Sequence, residues 1–78
     1  MFIKKLGKDL KGMLRVDKGE VSYYCINQGS YAFSIAKLDY RKRTLYLEAH
    51  NHEKTQQKLV RVLKQQMNDL YVTVVSKI

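Results

Sequence analysis

The chain has no proline and a single cysteine among its 78 residues. One thiol makes neither an internal disulfide nor a zinc site. Cys25 therefore reads as a small core residue of a reduced, cytoplasmic protein. With no proline, no low-complexity stretch and no internal repeat, nothing marks a linker, and 1–78 reads as one compact domain. No apolar run reaches the ~18–20 residues that span a bilayer. The opening MFIKKLGKDLKGMLR lacks the continuous apolar core of a signal peptide. Also missing are a glycine-rich phosphate loop, paired catalytic carboxylates and a nucleophile elbow. These absences lean away from an enzyme and imply no cofactor.

Acid is scarce as well. Fifteen Lys+Arg stand against seven Asp+Glu, for a net charge of +8. The excess is +4 over residues 1–19, +1 over 20–50 and +3 over 51–78. Such a balance favours polyanionic partners: nucleic acid first, then an acidic protein or an anionic membrane surface. Hydrophobic residues make up 45% and six of the eight aromatics are tyrosine, which is a globular composition. A chain this short buries roughly 60% of its unfolded surface, so a homodimer would add to a thin margin.

Residues 2–14 place Phe2, Ile3, Leu6, Leu10, Met13 and Leu14 at helical spacing. Lys4, Lys8, Lys11 and Arg15 fall on the opposite face. Gly7 and Gly12 each cost about 1 kcal/mol against alanine, so this helix needs packing to persist. VDKGEV is a turn signal, with Gly19 free to take positive φ and a short strand at 13–16 pairing back through it as an option. Strands are expected over 20–27, 31–38 and 44–49. In the second, Tyr31, Phe33 and Ile35 share one face; in the third, Leu45 and Leu47 point inward, and Thr44, Tyr46 and Glu48 outward. A helix is expected over 52–69, with Asn51 as N-cap, Glu53 in its first turn and Leu59, Val60, Leu63, Met67 and Leu70 as its buried stripe. YVTVVS alternates like a strand at the sheet edge or between subunits. The expected fold is α+β in the order α-β-β-β-α. A three-stranded antiparallel sheet carries an N-terminal and a longer C-terminal helix, with an extra C-terminal strand as an option. One sheet face is covered by helix and the other is partly open.

His50 and His52 lie two apart at the third strand's exit. Metal sites need three or four ligands, and no partner is placed beside the pair by spacing. They read as loop histidines flanking a helix cap. The cations are more informative. Arg41, Lys42 and Arg43 form a hairpin tip without glycine, which suits a four- or five-residue loop. Lys4, Lys8, Lys11 and Arg15 make a second basic row, and Lys54, Lys58 and Arg61 a third. Tyr24, Tyr40 and especially Tyr46 are placed to stack on bases or sugars. Whether the three rows converge on one surface decides their use.

The segments QGSYAF, TLYLEAH and LVRVLKQQ, in that order, give the chain a resemblance to double-stranded-RNA-binding domains and to toxins of the HicA type. The resemblance implies an RNA-related α-β-β-β-α fold. HicA-type ribonucleases place a catalytic histidine directly after Gly-Ser, where this chain has Tyr31, so the resemblance implies a domain without that group. Lys54 and Lys58 echo the lysine cluster of double-stranded-RNA-binding domains, without its glycines and alanines. The expected function is a small, non-catalytic nucleic-acid-binding domain that contacts phosphates through the hairpin tip and helix lysines. The alternatives are a small phage or mobile-element protein that inhibits a host protein, and a HicA-like ribonuclease that uses His50 or His52.

Overall fold

Among the described residues, six strands and one helix follow one another: β1 (Phe2–Lys5), β2 (Met13–Lys18), β3 (Val21–Gln28), β4 (Tyr31–Asp39), β5 (Thr44–Glu48), α1 (Glu53–Gln66) and β6 (Tyr71–Val75). The computed structural model describes residues 2–5, 13–28, 31–49 and 52–78. All six strands form one sheet in chain order, with β1 to β5 an antiparallel meander. After the helix, β6 returns parallel to β5. A parallel neighbour requires a crossover, and α1 supplies it.

The expected α-β-β-β-α order is thereby overturned. Among the described residues the sheet is mixed and six-stranded, and the one helix lies between the last two strands. The ends of the expected helix over 2–14 are not helical: 2–5 and 13–18 are strands paired with each other. Two glycines weaken a helix there, whereas strand pairing extends a sheet whose next hairpin is already strong. Lys4 and Arg15, expected on one helix face, are cross-strand partners. Lys8 and Lys11 lie outside the described residues. The element order implied by the resemblance to RNA-binding domains and HicA-type toxins is not the order of this chain.

The turns explain the meander. Lys18 pairs with Val21, so Gly19 and Glu20 alone connect β2 to β3, and Gly19 takes φ 62. Glycine occupies this left-handed region without penalty, which suits a two-residue hairpin. Between β4 and β5 the loop is Tyr40 to Arg43. The Asp39 carboxylate accepts from the backbone N–H groups of Arg41 and Lys42 at 3.0 and 3.2 Å. That is the usual way Asp stabilises a tight loop.

One face of the sheet packs on the helix. Its core joins Met13, Tyr24, Ile35, Ala36, Leu38 and Leu45 to Leu59, Leu63 and Leu70. Fully burying a leucine contributes about 1.5–3 kcal/mol, so Leu59 and Leu63 hold α1 down far more than its intrinsic propensity does. An irregularity between β3 and β4 shapes this core. Tyr24 stands opposite Ala36 and Cys25 opposite Ser34, which leaves Ile35 as an extra, unpaired residue. The bulge lets Ile35 and Ala36 both reach zero exposure in the same core. Strict alternation, with Tyr31, Phe33 and Ile35 on one face and Ala36 on the other, does not hold.

The helix start also differs from expectation. His52, not Asn51, is the N-cap; it takes φ 56, ψ 56 and makes no side-chain cap bond. Its ring rests against Phe33 at 5.3 Å between centroids. Glu53 and Lys64 sit in the first and last turns, complementary to the helix dipole. Met67 leaves helical geometry while its N–H bonds Leu63 O at 2.8 Å, and Tyr71 N–H then finds Arg43 O at 2.9 Å to begin β6. Among the described residues no helix is long and apolar enough to cross a membrane.

Candidate functional site

Alternation fixes what the second sheet face carries. Tyr24, Ala36, Leu38 and Leu45 point to the helix, so their neighbours Tyr23, Lys37 and Tyr46 point away. The register aligns these three in one row: Val16 on β2 faces Tyr23, Tyr23 faces Lys37, Lys37 faces Tyr46, and Tyr46 faces Thr73 on β6. Two strand spacings separate the tyrosines, which is about 10 Å. Among the described residues, neither the helix nor any further strand lies over this row.

Each of the two tyrosines carries an ammonium. Lys18 Nζ sits 5.6 Å from the Tyr23 ring centre, and Lys37 Nζ sits 5.3 Å from that of Tyr46. Beside Tyr23 a shallow depression of about 280 Å³ is lined by Val16, Lys18, Cys25 and Ser34. Cys25 Sγ and Ser34 Oγ are 3.5 Å apart at its floor. Tyr71, 65% exposed, stands in the neighbouring register row and extends the aromatic surface onto β6.

The hairpin tip adjoins this face at one end of the sheet. Tyr40 N–H bonds Glu20 O at 3.0 Å, which ties the β4–β5 turn to the β2–β3 turn beside Lys18. The tip is not a bare cationic projection. Arg41 pairs with Glu20 at 3.4 Å and Arg43 with Asp69 at 3.0 Å. Asp39 beneath the loop bonds backbone N–H groups of Arg41 and Lys42, so two of the tip's three cations are in ion pairs. Both ion pairs are exposed, and such pairs contribute roughly 0–1 kcal/mol, so a phosphate can replace either carboxylate at little cost.

Among the described side chains, the members of the three expected basic rows do not converge. Arg15 lies on the helix side of the sheet opposite Tyr24, with its Nε 3.0 Å from Asp17. Lys54, Lys58 and Arg61 are exposed on the helix, in the layer on the other side of the sheet from Tyr23 and Tyr46. Of the tyrosines expected to stack on bases, Tyr24 is 2% exposed and belongs to the core. Tyr40 is 40% exposed, with its hydroxyl 2.7 Å from Ser22 Oγ. Tyr46 is on the open face. Tyr23, Lys18, Lys37 and Tyr71 were not singled out from the sequence. The dipeptide Tyr23-Tyr24 must send one ring to each face, but composition does not say which.

A second polar group is built beneath the helix layer. Ser22, fully buried, donates to Asp17 Oδ1 at 2.5 Å and shares a hydrogen bond with Tyr40. Burial, and secondarily the Tyr40 hydroxyl, hold Tyr24 well above the ordinary tyrosine range. Ser22, Asp17, Tyr24 and Tyr40 hold one another in this cluster, and Arg15 stands beside Asp17. His50 lies outside the described residues, and His52 serves as the helix cap against Phe33. No protein family, curated protein or solved structure matches the chain.

Proposed function

We propose that this chain is a small, basic nucleic-acid-binding domain that holds a single strand across its open sheet face. The observation that carries the reading is the Tyr23–Lys37–Tyr46 row, with a lysine ammonium over each ring. A cation–π contact at an exposed site is worth about 0.5–1 kcal/mol. A base stacked on an aromatic side chain is worth about 1–3 kcal/mol. The base therefore displaces the ammonium, which swings to the adjoining phosphate instead of losing its partner. Stacking on two rings about 10 Å apart tolerates any base, so the expected preference is for strand state rather than sequence.

In this reading Lys42, Arg41 and Arg43 meet the backbone where it leaves the face at the tip end. Lys54, Lys58 and Arg61 add to the field of the +8 chain from the other layer without touching the same strand. Lys4 and Arg15 lie near the β1 side as register partners. The deciding measurement is anisotropy of labelled single-stranded and duplex oligonucleotides over a salt series. Single strands bind more tightly, with an affinity that falls as salt rises. Tighter duplex binding, or binding indifferent to both Tyr23→Ala and Tyr46→Ala, would rule out this face.

A further inference from the structure

Among the described residues, the last strand, β6, pairs with β5 on one side only and forms an edge of the sheet. Two hydrogen bonds set its phase: Tyr71 N–H to Arg43 O at 2.9 Å and Ala49 N–H to Val75 O at 2.8 Å. The backbone groups of Tyr71, Thr73 and Val75 therefore turn toward β5, and those of Val72 and Val74 turn outward. Edge strands are usually blunted by proline, lysine, a bulge or great shortness. YVTVV has no proline, no charge and no bulge over its five residues. Tyr71 and Val74 are 65% and 63% exposed, high values for large hydrophobic side chains. Next to Val74 a groove of about 500 Å³ runs between the edge and the helix start, lined also by Leu47, Ala49 and Gln57.

We propose that β6 pairs antiparallel with β6 of a second copy of this chain, about a twofold axis at Thr73, so that the sheet continues through both. The strand is its own complement in this register. Val72 and Val74, the residues with outward backbone groups, exchange N–H···O bonds with Val74 and Val72 of the second copy. On the helix side these same residues pack valine on valine, with Val74 at the groove. On the open side Tyr71 meets Val75 and Thr73 meets Thr73, which are aromatic and β-branched pairs of the kind that stabilise sheets. A slip of two residues in either direction shortens the paired segment from five residues to three, so full overlap of the strand selects the register. A contact one strand wide falls in the weak, concentration-dependent class. Two chains of +8 repel, so added salt strengthens this association, the opposite of its effect on nucleic-acid binding.

Sedimentation equilibrium over a concentration series tests the pairing. The expected mass rises from 9.2 kDa toward twice that value, and rises further with salt. Val74→Lys, placed where the side chain is already exposed, holds the chain at 9.2 kDa with an unchanged circular dichroism spectrum. Cysteine cross-linking under a mild oxidant reads the register independently of that variant. Thr73→Cys meets itself across the axis and forms a linked dimer; Val74→Cys does not. A mass of 9.2 kDa at every concentration, a dimer that survives Val74→Lys, or cross-linking through residue 74 as readily as through 73 would each overturn the proposal.

Discussion

Gln56 on the helix donates its Nε2 to two backbone carbonyls at once, Ile35 O at 2.9 Å and Glu48 O at 2.8 Å. Ile35 is the bulge residue of β4, and Glu48 is the last residue of β5. One side chain, 6% exposed, donates to both carbonyls. Gln56 thus joins the helix to the sheet at the point where the sheet is least regular.

Replacing Gln56 by leucine roughly keeps the volume and removes both hydrogen bonds. Each such loss costs about 1–3 kcal/mol, so Gln56→Leu is expected to destabilise the fold by several kcal/mol in urea unfolding. Gln56→Glu separates the hydrogen bonds from the shape. Its protonated carboxyl can still donate once, while the carboxylate faces two carbonyl oxygens. The folded state therefore raises this carboxyl above the ordinary value. The variant is most stable below roughly pH 4, and stability is lost as pH rises through the raised value. A Gln56→Leu chain as stable as the parent would remove this role.

Tyr24 gives a prediction at the other end of the pH scale. Burial, then the neighbouring Tyr40, push its hydroxyl above the ordinary range, while Arg15 pulls weakly the other way. An unfolded tyrosine ionises near pH 10, but the folded one stays protonated. Stability is thus fully present below about pH 10 and is lost as pH rises beyond it. Tyr24→Phe keeps the ring in the core and removes the ionisation, so the alkaline unfolding midpoint should move upward. Thermal melts from neutral to strongly alkaline pH measure it; an unchanged midpoint would assign the alkaline loss to another group.

Much of the sheet was legible. The strands over 20–27, 31–38 and 44–49 differ from the observed ones by a residue or so at their ends, and the pairing of 13–16 through Gly19 and the terminal strand both formed. Leu45 and Leu47 alternate against Thr44 and Tyr46 as a half-buried strand should. The first strand was not legible, and the second only as an option, for a physical reason. In β2 the inward positions after Met13 are Arg15 and Asp17, while Leu14 and Val16 point to the open face. Polar residues on the core side erase the period-two signal, and the leftover spacing of 3, 6, 10 and 13 imitates a helix. The polar side chains are tolerable there because Asp17 accepts from Ser22 and lies beside Arg15. The candidate site was legible only in part, since Tyr46 showed its orientation and Tyr23 did not.

Arg43 combines an ion pair with a backbone cost. Its φ of 49 lies in the left-handed region, which costs a non-glycine residue roughly 1–2 kcal/mol. Arg43→Ala loses the contact with Asp69 and keeps the cost; Arg43→Gly loses the contact and sheds most of the cost. The glycine variant should therefore be the more stable of the two by about 1 kcal/mol in denaturant unfolding. Equal stabilities would mean that the loop relaxes to another geometry when the guanidinium is removed.

The open face makes a prediction in which charge and stacking separate. Lys18→Gln and Lys37→Gln each remove one phosphate partner and leave the rings in place. Each should flatten the slope of log affinity against log salt by roughly 0.7, the value for one single-strand phosphate. Tyr46→Phe keeps the stacking ring and should bind like the parent, whereas Tyr46→Ala should weaken binding by about tenfold at every salt concentration, leaving the slope intact. Lys58→Gln, in the layer away from the rings, should change affinity little for the same oligonucleotide. If Lys58→Gln instead flattens the slope and Lys37→Gln does not, the strand lies along the helix and not across the tyrosines.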